Sequence, residues 1–96
     1  MISREDFVFT IGYEGDQAVV DGKAKARYAK LGTMELARAG LFRAAFASAL
    51  YEGDQAKLDE FAAYYNGIAG SSYRSAEEFS RLFGIKKEEV RKALVL

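Results

Sequence analysis

The sequence predicts an α+β fold: an N-terminal antiparallel β-hairpin packed against four to five short α-helices, with the C-terminal segment available as a third strand. Three observations lead there. Residues 7–20 alternate with period two on either side of a Gly-containing turn, whereas residues from Thr33 onward repeat apolar side chains at helical spacing. Large apolar side chains come from both halves, so sheet and helices are expected to share one core. At 96 residues there is room for one such core, which makes residues 1–96 a single small domain. An all-helical fold with a vestigial hairpin is the weaker alternative.

Phe7–Tyr13 reads as the first strand, with Phe7, Phe9, Ile11 and Tyr13 on one face and Val8, Thr10 and Gly12 on the other. Glu14-Gly15-Asp16-Gln17 supplies the turn and Ala18-Val19-Val20 the return strand. Residues 23–30 admit two readings. Asp21-Gly22 turns the chain into a third strand, or Asp21 caps a helix with Ala24, Tyr28 and Leu31 at its spacing. The Lys, Ala and Arg content favours the helix.

Thr33 is placed to cap a short helix, Met34–Ala39, ended by Gly40. Leu41–Tyr51 follows, with the stripe Phe42, Ala45, Phe46, Ala49 and Leu50. Gly53 stops it, and Asp54 caps a helix to about Tyr65 carrying Leu58, Phe61, Ala62 and Tyr65, ended by Asn66-Gly67. After a Gly- and Ser-rich loop, Ser75-Ala76-Glu77-Glu78 forms a capping box for a helix with Phe79, Leu82 and Phe83 on its core side. Residues 85–96 form either a last helix or a turn and a terminal strand, Ala93–Leu96. Phe42, Phe46, Leu50 and Phe61 are expected at the centre of the core.

The hexapeptide Tyr13-Glu14-Gly15-Asp16-Gln17-Ala18 recurs unchanged as residues 51–56. Few matches follow at the same offset, so a duplicated fold is weakly supported. Local chemistry accounts for the repeat: an aromatic ends an element, Gly takes a left-handed conformation, and Asp starts the next element. The sharper alternative brings Glu14, Asp16, Glu52 and Asp54 together around a divalent cation, but their spacing matches no calcium loop.

Residues 76–94 have the rhythm of a helix-turn-helix, with Gly84 at the turn and Ile85 and Val90 pinning the second helix. Lys86, Lys87, Arg91 and Lys92 would then face nucleic acid. Against this, Glu88 and Glu89 sit where phosphates would approach, and Ala39-Gly40-Leu41 with Phe46 imitates the pattern elsewhere. An ordinary helix pair or a helix and strand explains the stretch as well.

Charge is balanced overall but blocked. Residues 1–21 carry a net −4, 22–48 a net +5, 49–60 a net −3 and 61–96 a net +2. Folding these blocks against each other neutralises them internally, the simpler reading for a chain of zero net charge. There is no Cys and no His, which excludes disulfides, thiol nucleophiles, imidazole bases and Cys/His zinc sites. Gly67-Ile68-Ala69-Gly70 lacks the Lys of a phosphate loop. No nucleophile–base pair such as Ser-x-x-Lys occurs, so no catalytic, cofactor-binding or metal-ligating residue is assigned.

No apolar run is long enough to cross a membrane, and acids follow the N-terminus where an export signal would be apolar, so the expected location is cytoplasmic. Six Tyr and seven Phe exceed the needs of a small core. Tyr28, Tyr64 and Tyr73 are therefore candidate partner-facing aromatics, against the plainer reading that they rim the core with their hydroxyls in water. The function expected is that of a small non-enzymatic module binding a protein partner or a second copy of itself. The alternative is DNA binding through residues 76–94.

Overall fold

A computed structural model describes residues 2–85 and 90–96. The elements are α1 (Arg4–Val8), β1 (Thr10–Glu14), β2 (Gln17–Val20), α2 (Gly22–Tyr28), α3 (Thr33–Arg38), α4 (Phe42–Glu52), α5 (Gln55–Ala69), α6 (Ala76–Phe83) and β3 (Lys92–Val95). The α+β class holds. The sheet is mixed, in the order β1-β2-β3, with β1 antiparallel and β3 parallel to β2. A parallel pair cannot be joined by a tight turn. Here the connection from β2 to β3 contains every helix from α2 to α6.

The N-terminus departs from expectation. Phe7 and Val8 lie in a helix, not in the first strand, because Ser3 Oγ accepts the Asp6 N–H at 3.2 Å and Glu5 and Asp6 occupy the first turn. Phe7 and Val8 thereby reach the core from a helix. Strand β1 begins at Thr10 and carries a bulge between Thr10 and Gly12. The extra residue breaks the alternation: Thr10 is buried, Tyr13 packs against the core, and Ile11 is turned out to 57 % exposure. The expected face of Phe7, Phe9, Ile11 and Tyr13 is not formed as one face.

Residues 22–28 are helical, capped by Asp21, whose Oδ1 accepts from the Lys23 and Ala24 amides at 3.1 Å. Gly32 and not Thr33 is the N-cap of α3; Glu35 Oε1 accepts the Gly32 N–H at 3.1 Å. The Thr33 hydroxyl instead donates to the buried Ser48 Oγ at 3.1 Å. The α5 helix runs past Asn66-Gly67 to Ala69. Asn66 does not break it, because its side chain ties down the next loop, donating to Tyr73 O and accepting from Ser71 Oγ and Tyr73 N. Ser75 and Glu78 form the expected capping box of α6. The C-terminal segment is the strand β3.

Gly15 and Gly53, the glycines of the two hexapeptides, have φ of +61° and +65°. One sits in a hairpin turn and the other ends α4, so the repeat marks a shared left-handed turn in two unrelated settings. Asp54 caps α5 through the Lys57 amide, whereas Asp16 offers its carbonyl to the Arg91 N–H at 2.8 Å. Glu52 is engaged by Lys57 at 2.6 Å and more distantly by Arg4.

The α4 helix is central, packing against α1, α3, α5 and α6, with Ala45 through Ala49 fully buried. Its alanines allow the neighbouring helices to approach closely. Phe46 and Phe61 are fully buried as expected, while Phe42 and Leu50 are half-buried at the margin. Phe46 stands among Phe61, Phe79 and Phe83, with ring centroids at 6.1, 5.4 and 5.8 Å. Phe79 and Phe83 face this cluster, but Leu82 is 41 % exposed and does not belong to it.

Candidate functional site

Beside the bulge, the chain forms an apolar cleft of about 390 Å³. Val8, Phe9, Thr10 and Ile11 build one wall, and the turn from Gly40 into the first turn of α4 builds the other; Asp21 and Ala24 close the end. Local chemistry positions each part. The bulge pushes Ile11 outward to the rim. Gly40 ends the α3 segment and lets Leu41 lead directly into α4, whose first residues Phe42, Arg43 and Ala44 line the cleft.

The polar groups around the cleft are already committed. Thr10 Oγ1 donates to Asp6 O at 2.7 Å. Asp21 Oδ1 is held by the first amides of α2. Arg43 Nε donates to Phe83 O at 3.0 Å and Nη2 reaches Gly84 O at 3.5 Å, placing the cation at the C-terminus of α6, where the helix dipole favours it. Burial lowers the Arg43 pKa, and the nearby Tyr13 acts in the opposite direction. The Arg43 stem contributes apolar surface to the cleft wall.

Two polar assemblies escaped sequence reasoning. Arg4 donates to Ala29 O (3.2 Å), Leu31 O (2.8 Å) and Ser48 Oγ (2.9 Å), stapling α1 to the α2–α3 connection and to α4. Asp6 Oδ1 is buried without a directional hydrogen bond, yet Lys25 Nζ lies 2.7 Å away, an ion pair joining α1 to α2. Both tie α1 to the elements around it. Neither has a local sequence signal, since their partners lie 19 to 44 residues away.

The residues singled out from the sequence are dispersed. Tyr28, Tyr64 and Tyr73 are each half-buried against the core. Tyr28 lies under Arg27, 5.3 Å from the ring centroid, and Tyr73 packs on Phe79 at 5.5 Å. None lines the cleft. Lys86 and Lys87 lie outside the described residues. Arg91 and Lys92 are exposed, but Lys92 is in β3 and Arg91 immediately precedes it. A second helix through residue 94, which the helix-turn-helix reading requires, is replaced by this strand. Ile85 and Val90 are buried, as core residues flanking that segment.

Among the described residues no group of three or more acidic side chains is arranged to hold a metal ion, and no helix is long and apolar enough to cross a membrane. Comparison with protein-family models, with curated proteins and with solved structures gives no match.

Proposed function

We propose that this chain is a small non-enzymatic module that works by binding another protein, and that the cleft beside Ile11 seats an apolar anchor side chain of that partner. The observation that supports this best is the pairing of an apolar cleft with a large apolar residue held out at its rim. A site for a small polar substrate gathers unsatisfied polar groups that orient the ligand. Here Thr10, Asp21 and Arg43 each have an intramolecular partner, so the cleft offers shape and apolar surface. Interface anchors need those two properties.

The test compares affinity capture from lysate by the native chain and by Ile11→Lys. Ile11 is exposed, so the substitution leaves the core alone. A protein retained by the native chain and lost with Ile11→Lys supports the reading; equal retention by both, or retention of none, contradicts it. A duplex-DNA mobility shift on the same preparations separates the nucleic-acid alternative, whose binding would weaken steeply with salt.

A further inference from the structure

We infer that the protein segment seated in the cleft is acidic: its apolar anchor enters beside Ile11, and its carboxylates lie along α2 against Lys23, Arg27 and Lys30. This rests on the cleft as a protein-binding site and adds the chemistry of the partner.

Residues 22–34 hold four cations, Lys23, Lys25, Arg27 and Lys30, and no acid. A chain of zero net charge can cancel such a block by folding an acidic one against it. The structure does so at Lys25, which turns toward α1 with its Nζ 2.7 Å from Asp6 Oδ1. Lys23, Arg27 and Lys30 are exposed, and among the described residues no carboxylate lies within 4.0 Å of them. Ala24 and Tyr28 attach α2 to the core, so Lys23, Ala26 and Arg27 share its outer face at i, i+3, i+4 spacing. Arg27 is held over the Tyr28 ring, 5.3 Å from its centroid, which reduces the freedom lost on pairing. Lys30 follows in the turn after the helix.

Continuity with the cleft selects the partner. Asp21 and Ala24 line the cleft end, and Lys23 lies between them in sequence, so one bound chain passes from the cleft onto α2. Asp21 sets the order: its carboxylate opposes an acid at the cleft end, so the anchor sits there and the acids begin beyond it. Nucleic acid carries a phosphate at every nucleotide and leaves no gap for Asp21. Bases are read by hydrogen bonds, and Thr10, Asp21 and Arg43 already have intramolecular partners. A bilayer meets protruding groups and does not fill a recess. A protein segment supplies both an apolar side chain and acids spaced away from it. Lys23 and Arg27 are about 6 Å apart along the helix. Alternate residues of an extended segment are about 6.6–6.8 Å apart, so acids at every second position match them.

Fluorescence anisotropy with synthetic peptides tests this on the full chain. Each peptide has Leu, Phe or Trp at its centre and Glu, Gln or Lys at alternate flanking positions. The Glu-flanked peptides should bind at least tenfold more tightly than Gln-flanked ones with the same centre, and the Lys-flanked ones most weakly. Raising salt from 0.1 M to 1 M shortens the screening length from about 10 Å to about 3 Å and should remove most of that preference. Lys23→Glu combined with Arg27→Glu should abolish the preference and leave Gln-flanked binding unchanged. The same reversal at Arg74, exposed just before α6, should alter neither. Circular dichroism checks that each variant is folded. Equal binding of Glu- and Gln-flanked peptides overturns this inference and leaves the cleft reading standing. Binding of no peptide at millimolar concentration overturns both. Duplex DNA or phosphatidylserine vesicles that bind where the peptides do not, and are released by the double reversal, would assign α2 to those anions and overturn the proposal.

Discussion

Replacing Phe46 with Ala removes the side chain on which the aromatic core converges. Phe46 is fully buried, and its ring lies 5.4–6.1 Å from those of Phe61, Phe79 and Phe83, which come from two other helices. Truncation loses the transfer free energy of the ring and leaves a void that three aromatic neighbours cannot fill without leaving their rotamers. The expected cost is about 3–5 kcal/mol. Against a total of about 5–15 kcal/mol for a domain, that is at least about a fifth of the stability. It corresponds to a fall in Tm of about 15–30 °C for a chain of this size. Phe46→Leu keeps most of the volume and should cost about 1.5 kcal/mol or less. Urea denaturation followed by far-UV circular dichroism reads both, with the midpoint moving and the m-value unchanged. A loss below about 1 kcal/mol for Phe46→Ala would refute the packing argument, since a fully enclosed ring cannot be removed so cheaply.

Three further outcomes follow from the same structure. Arg4→Ala should cost about 2–3 kcal/mol, because it strips a charged donor from two carbonyls and the buried Ser48, and Arg4→Lys should recover little, as an ammonium lacks the planar fork that serves all three; full rescue by Lys in urea denaturation would contradict the staple. Gly22→Ala should favour α2 by about 1 kcal/mol on helix propensity. The added Cβ would collide with the Leu96 carbonyl and crowd Val95, however, so exchange of the β3 amides should accelerate while the aromatic core stays protected; hydrogen exchange that slows in β3 would show the close approach to be wrong. The Lys57 ammonium should titrate above the usual lysine value, held there chiefly by its hydrogen bond to Glu52 and then by the same carboxylate's charge. A raised folded-state pKa means the pair's contribution is present below the unfolded lysine value and lost as pH rises through the folded one. Glu52→Gln should bring the NMR titration of Lys57 down, and an unmoved midpoint would refute the assignment.

Elements whose signals are local were legible. The Asp54 cap and the Ser75–Glu78 box each depend on residues within one turn and form as the spacing predicts; of the stripe around Phe46, Ala45, Phe46 and Ala49 are buried as expected, while Phe42 and Leu50 lie at the margin and Ala47 and Ser48, off the stripe, are buried too. At the start of the first strand two signals compete: Phe7 and Val8 suit a strand by propensity, while Ser3 with Glu5 and Asp6 forms a helix start, and the helix start prevails. The bulge at Ile11 was invisible, since alternation in the sequence says nothing of an extra residue in one strand. That single shift creates the rim of the cleft. Its other wall comes from residues 40–44, about 30 positions away, so only folding brings the candidate site together. Asn66 looked like a helix end because Asn-Gly commonly is one; its side-chain bonds to Tyr73 and Ser71 override that preference.

The most direct measurement of the binding role places a photo-reactive benzoyl-phenylalanine at position 11 in the full chain and irradiates living cells. Position 11 is exposed at the mouth of the cleft, so the probe leaves the fold intact. The account predicts a discrete covalent adduct with another protein. It should be absent when the same probe replaces Glu60 on α5, and diminished when Ala44 in the cleft wall is changed to Asp. No adduct at position 11 above that at position 60, or an adduct indifferent to Ala44→Asp, would contradict it.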